Sequence, residues 1–459
     1  MKTKKLFVII LSIFILGSTT QAMGITNKNK IIFEKNLTTI NNETNWTVMY
    51  YMCGDVKSMS AWTDPLTENL TKIKSTQGMN IVVLNDGFER GDLHLFYIND
   101  TGEKIDITQN FGWPDEVDTS NLNTLEIFCK QMINAFPAKY YCLIPIASGG
   151  TGWQLLCLYD AHDGEIGVSI PDFANTLKNI YEATNSKIDV MFTSCAMNMI
   201  EVVYEFSDYV DYIVGTQDCL SGRYLVQRFY ESVWDLRNDT SMTPEQFAKK
   251  APERLTPLSF YYDESYEDQL PLLNRILNKL PFKGLHTVKY HDSTAVVNLS
   301  NVGQLTRSIH NLSQFLILNN HNSSIKKAVS NARKDVCKLG KCFPNNKLLT
   351  PIHTKWQFEL TASNRFIDIY HFALLLKNNT HNEYLKSLCT DVINSLNKTI
   401  SAIKKVPGIN CYGLSIYFPS SILNYNKYPI LAKLPCPYEN LKFAQDTSWD
   451  EFLKAYLKI

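Results

Sequence analysis

The chain has no surplus of charge of either sign: Lys and Arg total 45 and Asp and Glu total 45 over 459 residues, a formal net charge of zero. Broad contact with nucleic acid or an anionic lipid surface needs an electropositive face, so no nucleic-acid partner is expected. Beyond the extreme N-terminus no stretch offers the ~18 uninterrupted apolar residues of a membrane helix, which excludes a membrane partner once that terminus is removed. Cysteines and histidines are never spaced as in a zinc site. No segment has the ligand order of an EF-hand loop. No metal and no cofactor are expected on these grounds. Internal repeats are absent, and there is no clear interdomain linker.

The N-terminus is the most patterned short segment. Lys2, Lys4 and Lys5 precede an apolar run over residues 6–16, and Thr20-Gln21-Ala22 follows. A basic start, about ten apolar residues and a small-residue exit predict a secretory signal peptide over 1–22, and hence a secreted or extracytoplasmic protein. Residues 23–44 are rich in Asn, Thr and Lys and predict a disordered leader. Sequons such as those at Asn69, Asn99 and Asn238 agree with export. Eleven cysteines cannot all pair within one chain; Cys337 and Cys342, close together in a Lys-rich loop, are the first candidates for a disulfide.

From Trp46 onward, continuous apolar and β-branched runs alternate with helical patterns. Strands are expected over 46–52, 81–84, 140–147, 188–192 and 212–215, with 93–98 a short antiparallel extension. Helices are expected over 60–74, 124–136, 172–183 and 197–206. Strands without polar alternation suit a parallel sheet covered by helices on both faces. Their alternation with helices of 10–15 residues implies βαβ crossovers. The predicted fold is α/β, with a mainly parallel sheet in an α/β core over 45–235. A helical C-terminal annex over 236–459 contains helices at 244–280, 305–318, 324–338 and 382–404. It returns one strand to the sheet through Gly413-Leu414-Ser415-Ile416-Tyr417-Phe418-Pro419.

Ligands of open α/β sheets collect at the carboxyl ends of the strands. Two such ends stand out: Ala147-Ser148-Gly149-Gly150-Thr151-Gly152-Trp153 and Thr193-Ser194-Cys195-Ala196-Met197. A cysteine at a strand-to-helix turn is placed for a nucleophile, because a helix amino end favours thiolate. Equally, it is placed for a buried structural cysteine. These two segments resemble the catalytic strands of the clostripain family of cysteine peptidases, which have a caspase-like fold. The resemblance extends through Trp46 to Met52, Tyr159-Asp160 with Gly164, Phe366-Ile367-Asp368-Ile369-Tyr370, Gly413 to Ser420, and Phe443-Ala444-Gln445-Asp446-Thr447-Ser448-Trp449 with Phe452-Leu453.

The resemblance implies a Cys–His dyad, with Cys195 as nucleophile and a histidine in a motif like Asp-His-Gly-x-Gly-Trp. Counting back from Gly152-Trp153 puts Gly149 in the histidine's place and Ser148 where the aspartate precedes it. An unassisted thiol of pKa about 8.5 is only a few per cent ionised at neutral pH. General acid–base help typically contributes ~10²–10⁴-fold. His162, in Tyr159-Asp160-Ala161-His162-Asp163-Gly164, is the nearest substitute base and reads as part of an exposed turn. The family's acidic specificity pocket for Arg or Lys falls on Thr193 and Arg223, with Asp218 nearby as a partial replacement. The expected function is an exported clostripain-like homologue that binds a peptide or protein partner as a pseudopeptidase. The alternative is an active cysteine endopeptidase of altered, non-Arg/Lys specificity. A third possibility is a binding protein whose cysteine site is incidental.

Overall fold

The computed structural model describes residues 44–55, 57–146, 152–154, 156–160, 162, 166–193, 196–218, 222–254, 293–339, 365–405, 407–425 and 436–459. The expected signal peptide lies outside the described residues, as does the expected leader except for Thr44, which opens the first strand.

The strands in chain order are β1 (Thr44–Cys53), β2 (Met79–Asp86), β3 (His94–Ile98), β4 (Lys104–Asp106), β5 (Ala138–Ile146), β6 (Leu156–Tyr159), β7 (Ile166–Val168), β8 (Ile188–Phe192), β9 (Val210–Thr216), β10 (Ser293–Asn298), β11 (Lys338–Leu339), β12 (Phe366–Asp368), β13 (Ile400–Lys405) and β14 (Ser415–Tyr417). Nine of them form one sheet in the order β13-β10-β9-β8-β5-β1-β2-β3-β4. Its centre, β9-β8-β5-β1-β2, is parallel throughout. Antiparallel strands extend both edges. This is the α/β architecture read from the apolar runs.

Burial explains the missing polar alternation in β1. Trp46, Val48, Tyr50 and Met52 pack into one core with Met59, Leu66 and Leu70 of helix Lys57–Ile73 and Phe247 of helix Pro244–Arg254. Met49, Tyr51 and Cys53 enter the opposite core with Phe128 of helix Leu122–Ala135 and Phe173 of helix Ile170–Thr184. Successive side chains point to opposite faces, and both faces are covered.

The C-terminal half departs from expectation in several places, and β10, β11 and β12 lie where no strand was expected. The helix expected over 382–404 ends at Thr399, and the chain continues as β13, antiparallel to β10 at the sheet edge. Ile400 is already extended, with φ −87° and ψ 101°. Lys404 and Lys405 at its end are the type of residue that blunts an exposed edge strand. The late strand β14 joins a separate three-stranded sheet, β11-β12-β14, and touches the main unit through a bridge between Met199 and Ser415. Of the helix expected over 244–280, the described part is Pro244–Arg254. Cys342 lies outside the described residues, whereas the Cys337 sulfur stands 3.3 Å from that of Cys411.

Glu201, fully buried in the short helix Ile200–Phe206, fastens the small sheet to the large one. Its Oε1 accepts from the Tyr417 backbone N–H and from the Tyr438 hydroxyl, each at 2.8 Å. Burial pushes its pKa up to about 7, although these donors pull it down. A carboxyl whose folded-state pKa lies above its unfolded value loses stabilisation as pH rises through that window. Glu201→Gln keeps the acceptor without the charge. Thermal unfolding should find the variant close to the parent at pH 5 and more stable at pH 8, by up to about 3 kcal/mol. Parallel pH profiles for the two proteins would refute this assignment.

Candidate functional site

The carboxyl ends of the five parallel strands form one edge of the sheet, the place where open α/β sheets hold their ligands. At the end of β5, Ser148 and Gly149 lie outside the described residues. The chain is described again at Gly152, whose φ is +68°, a left-handed conformation suited to glycine. A Cβ there would lie 2.2 Å from the Met199 sulfur. Trp153 follows, 1% exposed, with its ring edge-on to Tyr417 and Tyr438 at 5.3 and 5.1 Å.

At the end of β8, Ser194 and Cys195 also lie outside the described residues. Thr193 is buried, and its hydroxyl and backbone N–H both donate to the Val214 carbonyl. The helix expected from residue 197 begins only at Ile200. Between them Ala196 takes a left-handed φ of +56° and donates its N–H to the Asp218 carbonyl. Asn198 then donates from Nδ2 to the carbonyls of Ala295 and Gly413. The helix amino end that motivated an activated thiol is therefore five positions beyond Cys195, and that helix has only 7 residues.

Of the expected pocket residues, Thr193 follows β8 directly and Asp218 lies two residues past β9, its parallel neighbour. Asp218 is 2% exposed, so it is not a surface-loop acid. Arg223 falls on the first turn of helix Gly222–Asn238, and its side chain lies outside the described residues. The Thr193 side chain leaves little space: a Cβ on Gly215 would lie 2.2 Å from its Oγ1 and 2.4 Å from Asn198 Oδ1.

His162 sits elsewhere, beyond the ends of β1 and β2, and its surroundings correct the exposed-turn reading. The side chain is 26% exposed, and Nδ1 stands 2.6 Å from Oδ1 of Asp55, a residue buried two positions past β1. Its backbone N–H donates to Asp55 Oδ2 at 3.0 Å and to Asp160 Oδ1 at 3.1 Å. The ring also packs on Phe88 at 5.7 Å. The backbone N–H of His162 thus finds its acceptors in two carboxylates.

Sequence reasoning missed the carboxylates themselves. Asp86 ends β2, paired in register with Cys53, and is fully buried. Burial pushes its pKa up to about 8, with Glu116, Asp160, Asp55 and Asp92 adding like charge. Burial and a contact with Asp160 likewise lift Asp55 to about 6, against the pull of the His162 N–H. Ligand atoms of Asp55, Glu116 and His162 lie within 4.8 Å of one another, a spacing open to a metal ion. The available signal was positional: an acid at or just beyond the carboxyl end of each of two apolar strands.

A family model described as the clostripain family matches residues 50–456. Among solved structures, an inactive zymogen C11 protease from Parabacteroides distasonis is 16% identical with a TM-score of 0.55, over 89% of this chain and 99% of that one. A secreted C11 cysteine protease from Bacteroides thetaiotaomicron, in complex with an irreversible peptide inhibitor, is 13% identical with a TM-score of 0.56, again over 89% and 99%. A secreted C11 cysteine protease from Bacteroides thetaiotaomicron called iotapain is 14% identical with a TM-score of 0.52, over 88% and 100%. At these identities the likeness is one of fold, a caspase-like α/β sheet. No curated protein matches the chain.

The close approach at Gly215 has a measurable consequence. Gly215→Ala should lower stability by about 1–3 kcal/mol through overpacking against Thr193 and Asn198. Adding Thr193→Ala should recover part of that loss in denaturant titrations. A Gly215→Ala protein as stable as the parent would contradict the packing described.

Proposed function

Because this chain belongs to the clostripain family, we propose that it is an exported member that binds a peptide or protein partner without cleaving it. The observation carrying this reading is Gly149, aligned with the histidine of the family motif while Cys195 keeps the nucleophile position. Without an imidazole the thiol is mostly protonated at neutral pH, and the leaving amine receives no proton. Thr193 and Arg223, standing where the family pattern has acids, support the same reading. A neutral and a cationic side chain disfavour Arg or Lys in the pocket by short-range Coulomb interaction. The peptide class of partner follows from the family and from the peptide inhibitor bound by the relative from Bacteroides thetaiotaomicron. Export rests on the N-terminal pattern over 1–22 and on the description of that relative as secreted. No helix among the described residues is long and apolar enough to cross a membrane.

One observation favours the second reading, an active endopeptidase of altered specificity. A carboxylate beside an imidazole, as with Asp55 and His162, is how many enzymes orient a general base. Two assays on the purified protein separate the readings. Incubation with a varied peptide and protein mixture should give no cleavage above that of Cys195→Ala, and a peptidyl electrophile should alkylate Cys195 no faster than a free thiol. Turnover lost in both Cys195→Ala and His162→Ala would overturn the first reading in favour of the second.

A further inference from the structure

The acidic group at the ends of β1 and β2 contains a side chain that protein contacts leave unsatisfied. Asp86 is fully buried, and neither of its carboxylate oxygens has a hydrogen-bond partner among the described residues. A carboxyl removed from water without a donor is costly, and in a native protein it calls for an explanation such as an ordered water or ion. The groups acting most strongly on Asp86 are four further acids, Glu116, Asp160, Asp55 and Asp92. The strand register sets Asp86 beside Cys53, two residues before Asp55 of the cluster.

The contact between Asp55 and His162 has the same character. Oδ1 and Nδ1 are 2.6 Å apart, yet neither atom makes a hydrogen bond of acceptable geometry among the described residues. A buried carboxylate oxygen and an imidazole nitrogen this close can serve as neighbouring ligands of one cation. Glu116 closes the set on the third side, and one of its oxygens, Oε2, accepts from the Gly91 N–H at 2.6 Å. Asp160 is occupied differently: its oxygens accept from the backbone N–H groups of Thr119 and His162.

We propose that Asp55, Glu116 and His162 form a binding site for a divalent transition-metal ion of the zinc class, with Asp86 as a supporting carboxylate. The imidazole nitrogen decides the class: calcium and magnesium take oxygen ligands, whereas one His with two carboxylates suits zinc and its neighbours. A dipositive ion with two carboxylates and a neutral imidazole also makes a charge-balanced set. The ion would tie Asp55, past the end of β1, to Glu116 and His162. The site uses neither Gly149 nor Cys195, on which the proposed loss of peptidase activity rests.

The test is equilibrium zinc binding to the purified full chain at neutral pH, read by competition with a chromophoric chelator, with thermal unfolding in parallel. The parent should take up zinc saturably and unfold at higher temperature with it. His162→Ala and Asp55→Asn should each weaken binding by at least about tenfold. Asp86→Asn supplies a second signature: weaker zinc binding, together with a higher unfolding temperature in chelator because a buried carboxyl with no hydrogen-bond donor among the described residues is gone. Zinc affinity unchanged in His162→Ala, or calcium bound more tightly than zinc and indifferent to that substitution, would overturn the assignment. So would an Asp86→Asn protein that is less stable in chelator and binds zinc like the parent.

Discussion

Parallel pairing of β1 with β2 on one side and β5 on the other, sealed by side chains on both faces, sets where the reactive groups of this chain can stand. The registers place Asp86 level with Cys53 and Ile146 level with Met52. All five central strands run the same way, so all their carboxyl ends reach one edge. Backbone groups there leave the ladder and need new partners in short turns. Several polar residues of the interior stand at this edge: Asp55, Asp86, Asp160, Thr193, Asn198, Gln217 and Asp218 are all nearly fully buried. Any ligand approaching the sheet in the usual manner of open α/β folds meets these groups.

Buried polar contacts also decide how the second half of the chain docks. Gln217, beyond the end of β9, donates from Nε2 to Asp368 at 2.9 Å and accepts the Gly413 N–H at 2.7 Å. Asp368 caps helix Ile369–Asn379 by accepting the His371 N–H at 2.8 Å, and takes the Tyr412 N–H at 2.6 Å. Burial nevertheless holds its pKa up at about 6. One amide and one carboxyl thus join β9, β12 and the turn before β14. A satisfied network of this kind specifies one docking, because any other leaves several buried groups unpaired.

The contrast between what was legible and what was not follows from the range of the signals. The central strands announce themselves through apolar runs, since burial on both faces removes alternation. Helices such as Ile170–Thr184 show caps, with Ser169 accepting from the Asp172 N–H. The switch from helix to strand at Thr399–Ile400 is hidden because residues 400–405 form a half-exposed edge whose composition continues the helix pattern. The pairing of β14 with β12 joins residues as far apart in the chain as Phe366 and Tyr417. The carboxylate–imidazole group was invisible for a similar reason: metal spacing rules look within one segment, whereas Asp55, Asp86, Glu116 and His162 come from four. His162 read as solvent-exposed because its neighbours are polar, yet the acceptors that draw it inward lie at Asp55 and Asp160.

The acids at this edge bear on the nucleophile question through elementary electrostatics. Cys53, at the end of β1, has its thiol pKa raised by burial first and then by Asp86, Asp160 and Asp118, against a hydrogen bond to Thr119 that lowers it. Negative charge near a sulfur penalises thiolate, whereas peptidase thiols are activated by a positive partner such as an imidazolium. An edge carrying several carboxylates, with Gly149 read in place of the family's histidine, therefore works against ionising any cysteine exposed to its field. The same carboxylates attract cations, and a dipositive ion among them would cancel most of that penalty locally. Whether sulfur at this edge behaves as an inert thiol or as a reactive one thus depends on which positive charge stands beside it. Among the described residues the imidazole at hand, His162, is already turned toward Asp55.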